Sequence, residues 1–372
     1  METYILNYIF ILFFLCFTVQ LYFIGYKQGA LTRYNAVNDL PEVNLPVSVI
    51  ISARNEAENL LENLPLILQQ NYPDFEVIVI NDCSSDLSAN ILLELKESYP
   101  HLKIVTVLIN DRYFTGKKFA LTLGIKAAKN EYLIFTDADC RPTSPNWIMR
   151  MAANFNEQVS MVLGYSPYQK VNNLVNPLIR YETIKTAINY FSAVLRGNTY
   201  MGVGRNLAYT KTLFFNSKGF ASHMHILSGD DDIFVNQNAT QTNTAIEIHP
   251  ESFMYSKPKT SLAAWFRQKK RHFGAGGSYK LRHIYMLSLE AVSGILFYVS
   301  LALCLIFNFE PLIVAGLFIF RLIFQLLTYR KLFRQFDGKY LLFFLPVLDM
   351  VYYIYLNVFG LIGRFTKSTQ WK

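Results

Sequence analysis

The sequence has little of what marks a disulfide-stabilised, zinc-binding or nucleic-acid-binding protein. It contains four cysteines, and no pair of them has the spacing of a disulfide framework or of a metal site, which fits a reduced compartment. No basic face is interleaved with stacking aromatic residues, as proteins that bind single strands require, so we expect no nucleic-acid partner. Internal repeats and low-complexity segments are also missing, which excludes a solenoid or a disordered linker protein.

What the sequence does contain is a large excess of apolar residues. Of its 372 residues, 52% are hydrophobic and 15% are aromatic, which is too apolar for a soluble protein of this size. The net charge of +8 comes from Lys and Arg residues that cluster beside apolar runs, as the cytoplasmic flanks of membrane helices do. Part of the chain is therefore expected to lie in a lipid bilayer.

The first apolar run, residues 4–24, has about the 20 residues that cross a bilayer. It is too long for a signal-peptide core, no small-residue cleavage site follows it and no basic segment precedes it. Residues 1–25 are therefore predicted to be an uncleaved transmembrane anchor. Lys27 and Arg33 follow, which predicts that the polar linker at residues 26–46 begins in the cytoplasm.

Further apolar runs lie near the end of the sequence and predict about three transmembrane helices within residues 284–364. These runs are residues 285–307, 311–328 and 340–362. Three spans would place the tail, residues 365–372, outside the cytoplasm, whereas its basic residues favour the inside. The number of true spans and the side of the tail therefore stay open.

The segment between these membrane regions has the pattern of an α/β domain. Short β-branched runs, namely VSVIIS, FEVIVI, KIVTVL and YLIFT, alternate with helical patterns, which is typical of βαβ units and a parallel sheet. We expect residues 47–260 to form this domain and residues 261–283 to form an interfacial helix and gating loop. In open sheets of this kind, ligands bind beyond the carboxyl ends of the strands.

Carboxylates follow three of these strands. Asp137 and Asp139 come directly after YLIFT and can supply the oxygen ligands that Mg²⁺ or Mn²⁺ prefers. Asp82 follows FEVIVI, and Glu56 follows VSVIIS. Turn chemistry explains one such motif alone, but it does not explain carboxylates after three of the strands. Together they predict a nucleotide pocket in which a metal neutralises a diphosphate leaving group.

A run of three carboxylates, Asp230, Asp231 and Asp232, lies further along in the segment SGDDDIF. A transfer reaction needs a general base close to the acceptor hydroxyl, and crowded carboxylates raise one another's pKa. Two other interpretations are a solvated acidic loop and a helix N-terminus.

These motifs resemble those of the inverting family-2 glycosyltransferases over roughly residues 47–273. The resemblance implies a nucleotide-sugar-binding domain of the GT-A type, with a Rossmann-like, mostly parallel sheet and flanking N- and C-terminal transmembrane helices. It also implies that Asp82 contacts the nucleotide base, that Asp139 and Asp137 hold the metal and the diphosphate, and that Glu56 supports the nucleotide side.

Other segments extend the resemblance. TGKKFALTLGI resembles the family's glycine-lysine segment, which implies that Lys117 reaches the phosphates or the sugar, although the neighbouring Lys118 is an equal candidate. In SGDDDIF, Asp230 stands where the family has Glu, and Asp231 is the implied base, with Asp230 as its alternative. GVGRN, residues 202–206, resembles the acceptor-side loop of the family.

The segment QKKRH resembles the family's Gln-x-x-Arg-Trp element, with His272 in place of the tryptophan. The resemblance implies that Gln268 and Arg271 bind the donor, whereas the loss of the tryptophan argues against processive polymerisation. A basic helix lying against anionic lipid is an equally good interpretation of this segment.

The predicted function is the metal-dependent, inverting transfer of a sugar from a nucleotide-sugar to a hydroxyl of a lipid-linked, glycan or other membrane-associated acceptor. The resemblance favours a hexosyltransferase that uses a UDP-sugar. We expect a multi-pass protein of the cell membrane with a cytoplasmic catalytic domain in contact with membrane lipids. One alternative is a processive polysaccharide synthase, for which we expect more spans. Another is a non-catalytic nucleotide sensor, which has no use for an acceptor-side base.

Overall fold

The computed structural model describes residues 2–39, 42–108, 116–226 and 228–365. The chain folds into two compact units. The sheet unit contains Ala36–Val171 and Gly197–Lys259, and the helical unit contains Met1–Asn35, Asn172–Arg196 and Thr260–Lys367. The predicted tail at residues 365–372 lies outside the described residues except for Phe365.

The described residues of the sheet unit form a mixed sheet and a small two-stranded sheet. The strands are β1 (Val47–Ala53), β2 (Phe75–Asp82), β3 (Leu102–Val107), β4 (Tyr132–Asp137), β5 (Cys140–Pro142), β6 (Met161–Gly164), β7 (Leu207–Thr210), β8 (Thr244–Glu247) and β9 (Met254–Ser256). The larger sheet has the order β3-β2-β1-β4-β7-β6-β8, and β5 pairs with β9. Only β7 runs antiparallel to its neighbours in the larger sheet, so the predicted mostly parallel sheet is confirmed.

The helices of the described chain are α1 (Glu2–Leu21), α2 (Ala57–Leu68), α3 (Ser88–Ser98), α4 (Lys117–Ala127), α5 (Trp147–Ala152), α6 (Asn176–Leu195), α7 (Lys211–Asn216), α8 (Asp232–Asn238), α9 (Leu262–Phe273), α10 (Leu281–Ile306), α11 (Pro311–Gln335) and α12 (Leu345–Phe365). Short π and 3-10 turns extend α1 to Arg33, and a 3-10 turn precedes α12.

The core of the sheet unit follows from its sequence pattern. Every residue of β1 is buried, as expected for a strand that is covered on both faces. Leu60, Leu64 and Ile67 recur at helical spacing on α2 and pack into the same core as the strands. Burial of each such side chain stabilises the fold by about 1.5–3 kcal/mol. The hydrophobic layer therefore fixes the strand ends, where the polar residues lie.

On the helix α4, Gly124 permits close packing against the sheet. A methyl group added at Gly124 would overlap Ile80 of β2 and press on Ile50 of β1. The glycine thus lets α4 lie directly on the two strands whose carboxyl ends carry the predicted site. The same helix begins at Lys117.

Four helical segments in the described residues are long and apolar enough to cross a membrane. They are Tyr4–Arg33, Leu281–Ile306, Pro311–Gln335 and Lys339–Ile362, and they coincide with the predicted apolar runs. The N- and C-terminal membrane segments expected from the sequence are thus present in the fold. The side of the membrane on which each end lies stays a prediction.

Three buried charged residues inside these spans, Glu290, Arg321 and Asp349, are paired within the helical unit. Arg321 lies 2.8 Å from Asp349, and the Gln325 side chain donates a hydrogen bond to the same carboxylate at 2.8 Å. Glu290 accepts a hydrogen bond from Gln28 at 2.8 Å and faces the Lys185 ammonium at 3.9 Å. Because charge is costly in lipid unless it is paired, these contacts have a structural role.

Helix α6 belongs to the helical unit, although it lies within residues 47–260 of the sequence. Its apolar residues are buried on several faces, and its charges find partners in the same unit. Arg180 pairs with Asp337 at 2.9 Å, and Glu182 pairs with Lys269 of α9 at 2.6 Å. The segment predicted as one domain therefore contributes a helix to the other unit, while the remaining boundaries stay predictions.

Candidate active site

The parallel strands β2, β1 and β4 end at the same edge of the sheet, and this brings the predicted carboxylates together. Ser52 of β1 lies opposite both Ile80 of β2 and Asp137 of β4. Asp82 is the last residue of β2, and Asp137 is the last residue of β4. Side chains that are distant in sequence therefore project from neighbouring strand ends, as expected for a parallel sheet.

Asp137 and Asp139 form the group best suited to hold a metal. Ligand atoms from Asp137, Asp139 and Cys140 lie within 4.8 Å of one another. Burial raises the pKa of Asp139, and the charge of Asp137 adds to this effect, while Arg205 opposes it. The Cys140 thiol donates a hydrogen bond to Asp139 Oδ1 at 3.4 Å. Because Mg²⁺ and Mn²⁺ prefer oxygen, the two carboxylates fit as ligands and the thiol fits as their support.

Lys117 links this pair to the acidic run of SGDDDIF. Its Nζ lies 3.0 Å from Asp137 Oδ1 and 2.9 Å from Asp230 Oδ2. Burial works against the ammonium charge, but the carboxylates of Asp137, Asp230 and Asp231 outweigh burial and hold the pKa of Lys117 well above its usual range. The lysine is therefore a permanent cation at the centre of the site.

Lys118 has a different role from its neighbour. Its ammonium donates hydrogen bonds to the carbonyl oxygens of His223 at 2.7 Å and Ile226 at 2.8 Å. Burial lowers the pKa of Lys118 to about 8. The structure thus distinguishes two lysines that the sequence left equivalent, because Lys118 supports a loop and Lys117 meets the carboxylates.

Asp231 is held by backbone donors on both of its oxygens. Gly204 N–H donates to Oδ2 at 2.7 Å, and Asp232 N–H donates to Oδ1 at 2.8 Å. Burial raises the pKa of Asp231, and the neighbouring charge of Asp230 raises it further. Asp231 directly precedes α8, so the acidic run is a helix N-terminus and also part of the site.

A pocket in the sheet unit joins these groups. Its polar lining contains Lys117, Asp137, Asp230, Asp231 and Gly204, and its apolar lining contains Leu121, Phe135, Leu207 and Tyr209. The rings of Phe135 and Tyr209 stack with centroids 4.3 Å apart. Charged side chains beside this apolar lining interact more strongly than they would in water, because apolar groups screen charge less than water does.

Asp82 is buried beside Cys83 and feels the charge of Arg54, and both oppose the rise in its pKa that burial causes. Its side chain is 0% exposed, and neither carboxylate oxygen accepts a hydrogen bond from the described part of the chain. The neighbouring Asn81 Oδ1 and Ser52 Oγ are also buried and unpartnered there. Burial raises the pKa of Asp82. Since buried polar groups are normally satisfied, these atoms fit a ligand that supplies N–H and O–H donors.

Glu56 lies at the start of α2, beside the same edge. Its N–H donates to Ser88 Oγ at 3.1 Å, and its carboxylate accepts a hydrogen bond from Asn59 at 2.6 Å. The charge of Glu56 contributes to the raised pKa of Asp139. The structure therefore brings Glu56 near Asp139, and its role on the nucleotide side stays a prediction.

Sequence reasoning missed Arg205 as a part of the site. Its guanidinium donates to Ser256 Oγ at 3.0 Å and to the Ser166 carbonyl at 3.1 Å, and it lies 4.3 Å from the centre of the Tyr168 ring. It also opposes the rise in the pKa of Asp139. The only signal was its place in GVGRN, which by itself indicates a flexible turn.

Gln268 and Arg271 lie on α9, which belongs to the helical unit. In that unit, Trp265 of α9 stacks on Tyr355 with ring centroids 5.0 Å apart. The side chains of Arg271 and His272 are outside the described residues. The donor-binding role of Gln268 and Arg271 therefore stays a prediction.

Comparisons with known proteins agree with this fold. Residues 48–221 match the family described as glycosyl transferase family 2. A poly-beta-1,6-N-acetyl-D-glucosamine synthase of Staphylococcus epidermidis is 24% identical over 301 residues, which cover 77% of this chain and 70% of the relative. The corresponding synthase of Staphylococcus aureus strain COL is 24% identical over 265 residues, which cover 68% of this chain and 60% of the relative.

A solved structure has a similar fold. The mannosyltransferase PcManGT from Pyrobaculum calidifontis, in complex with GDP-Man and Mn²⁺, superimposes with a TM-score of 0.61 at 20% sequence identity. The superposition covers 96% of this chain and 99% of that one. The fold is therefore that of the GT-A glycosyltransferases.

The fold and the family match define the class of enzyme, the glycosyltransferases. Within this class, the chain carries a family 2 glycosyltransferase domain. The expected family and enzyme class are confirmed, and the non-catalytic alternative is not supported.

Proposed function

We propose that this protein transfers a sugar from a nucleotide-sugar to a hydroxyl of a membrane-associated acceptor in one displacement that inverts the anomeric carbon. One observation carries the proposal: Lys117, Asp137, Asp230 and Asp231 converge on one pocket, with Asp139 adjacent. A transferase needs charge stabilisation for the leaving diphosphate and a base for the acceptor, and this pocket has groups for both.

On the donor side, the buried carboxylate of Asp82 would accept hydrogen bonds from the nucleotide base. Asp137 and Asp139 would hold Mg²⁺ or Mn²⁺, and the chemistry that the cation supplies there is neutralisation of the diphosphate. Glu56 lies on the nucleotide side. Gln268 and Arg271 complete the proposed donor-binding set on the strength of the sequence resemblance. That resemblance also favours a UDP-sugar.

On the acceptor side, Asp231 is the better base of the two candidates. Asp230 is ion-paired with Lys117 at 2.9 Å, whereas Asp231 contacts backbone N–H groups and has a raised pKa. A base is most effective when its pKa approaches the working pH. Asp231 therefore takes the proton of the acceptor hydroxyl as that oxygen attacks the anomeric carbon. The bond to the diphosphate breaks in the same step, so no covalent sugar-enzyme intermediate forms.

The four apolar segments support a membrane-delivered acceptor, such as a lipid-linked sugar or a growing glycan. We place the protein in the cell membrane with its sheet unit in the cytoplasm, on the strength of Lys27 and Arg33 after the first segment. Limited addition is favoured by His272, which replaces the aromatic residue of the family element. The similarity to poly-beta-1,6-N-acetyl-D-glucosamine synthases supports processive synthesis as a second candidate.

The test is nucleoside diphosphate release from purified membranes with a panel of nucleotide-sugars, UDP-N-acetylglucosamine and GDP-mannose included, and with Mg²⁺ or Mn²⁺. We expect one donor to give release that a chelator, Asp139→Asn and Asp231→Asn each abolish. Nucleotide binding without release from any donor, even after a lipid extract of the native host is added, would refute the proposal. Product length then decides between limited and processive addition.

A further inference from the structure

One ammonium group in the site bridges two carboxylates that the proposed mechanism uses for different purposes. Lys117 Nζ lies 3.0 Å from Asp137, a proposed metal ligand, and 2.9 Å from Asp230, the neighbour of the proposed base. The Lys117 and Asp230 side chains are 18% and 11% exposed, so water screens their contact only weakly, whereas the Asp137 side chain is 31% exposed and its contact with Lys117 is screened more. The Lys117 ammonium is therefore ion-paired with Asp137, a carboxylate that is also a proposed ligand of the divalent metal.

The backbone beneath Lys117 is anchored, so only its side chain is free to respond. The next residue, Lys118, is tied to the carbonyl oxygens of His223 and Ile226. About two turns further along α4, Gly124 allows the helix to pack against Ile80. The start of α4 thus stays in place while the flexible side chain of Lys117 exchanges partners.

An ammonium and a divalent cation repel each other strongly when both contact the same carboxylate. Binding of a metal at Asp137 therefore weakens the contact between Lys117 Nζ and that carboxylate, and Lys117 in turn opposes the metal. Without nucleotide, the ammonium keeps its contact with Asp230 and the attraction of the Asp231 charge in the pocket lining. A diphosphate supplies new anionic oxygens, so the ammonium gains a partner when metal and nucleotide bind together.

We propose that Lys117 is an internal counter-ion that opposes the binding of free metal and favours the binding of metal together with a nucleoside diphosphate. This inference rests on the proposed function, because it takes Asp137 and Asp139 as the metal ligands. The two ligands then bind cooperatively, and the coupling is reciprocal, as linkage requires. Lys117 is a positioning residue here, since it sets the order in which the donor site is completed.

The experiment measures Mn²⁺ affinity in the full-length, detergent-solubilised protein from the electron paramagnetic resonance signal of free Mn²⁺, with and without UDP or GDP. In the wild type we expect weak binding of Mn²⁺ alone and tighter binding with nucleotide. Lys117→Met should bind Mn²⁺ alone about tenfold more tightly, and the enhancement by nucleotide should fall by about fivefold or more. Lys117→Arg keeps the charge and should retain the wild-type coupling.

The matched control is Lys126→Met, which removes the same charge from an exposed position of the same helix. It should leave both Mn²⁺ affinities unchanged. Thermal unfolding of each variant shows whether it is folded, and Lys117→Arg provides the second test if Lys117→Met is not. The proposal is overturned if Lys117→Met binds Mn²⁺ alone no more tightly than the wild type, or if Lys117→Arg loses the coupling.

Asp139→Asn separates this inference from the proposed function. If Asp139→Asn loses Mn²⁺ binding while Lys117→Met behaves as the wild type, the metal site stands and only the counter-ion role fails. If Asp139→Asn binds Mn²⁺ as the wild type does, the metal lies elsewhere, and the proposed metal dependence at this site fails together with the counter-ion role.

Discussion

Gly204→Ala tests how the proposed base is held. In the structure, Gly204 N–H donates to Asp231 Oδ2 at 2.7 Å. A methyl group added at Gly204 would lie 3.2 Å from Oδ2 and 3.3 Å from the Asp231 Cβ, so the carboxylate must move by a few tenths of an ångström. The change therefore acts on the position of the base, while every catalytic side chain is kept.

The magnitude follows from the hydrogen bond that the shift weakens. A hydrogen bond to a charged group contributes about 1.5–3 kcal/mol, and roughly 1.4 kcal/mol corresponds to a tenfold change in rate. We expect kcat for Gly204→Ala to fall by about tenfold to a hundredfold. The KM for the donor should change little, because Asp231 serves the acceptor side. The assay is nucleoside diphosphate release at saturating donor, with kcat and KM determined separately.

Gly202→Ala is the matched control for this variant. A methyl group there would lie 3.0 Å from side-chain carbons of Leu163 and Val235, with no contact to Asp231 among its nearest neighbours. It should lower thermal stability and leave kcat per folded molecule unchanged. A wild-type kcat in Gly204→Ala, or an equal fall of kcat in both variants, would refute the role of Gly204 in positioning the base.

Other predictions concern pH, donor binding and stability. Because burial and the charge of Asp230 raise the pKa of Asp231, kcat should decrease on acidification at a pH above the usual carboxyl range. Asp230→Asn should move this acidic limb of the pH–kcat profile to lower pH. Asp82→Asn should raise the donor KM about tenfold, since a charge-assisted hydrogen bond is lost. The same variant should raise the free energy of unfolding at neutral pH by about 1 kcal/mol, because burial makes the ionised form of Asp82 unfavourable in the fold and so raises its pKa. Arg150 is 3% exposed and donates to the carbonyls of Val37, Asn38 and Asp39 and to Glu251, so Arg150→Ala should destabilise the sheet unit by about 3 kcal/mol in thermal unfolding.

Each of these predictions has a result that would contradict it. If the acidic limb of the pH–kcat profile has the same midpoint in Asp230→Asn as in the wild type, Asp231 is not the titrating base. A donor KM that Asp82→Asn leaves unchanged would remove Asp82 from the nucleotide site. For Arg150, the Arg150→Lys variant keeps the charge but loses the planar fork, so stability equal to the wild type would show that the multiple hydrogen bonds contribute nothing.

The sequence by itself determined the class of the fold and the carboxylates that follow its strands. β1 to β4 and the apolar spans can be recognised from consecutive residues. A strand that is covered on both faces needs a short apolar run, and a helix that crosses lipid needs a long one. Asp82, Asp137 and Asp139 were found for a related reason. They follow strands directly, and the parallel register carries every strand end to the same edge.

Only the tertiary structure decided which charges meet. Lys117 and Lys118 are adjacent and chemically equal, and the direction of each side chain from the start of α4 gives one to the carboxylates and the other to a loop. Arg205 and Gly204 reach the site through a strand that joins the sheet antiparallel to β4. Partners so far apart in the chain leave no local pattern, because their contact exists only after the sheet has assembled.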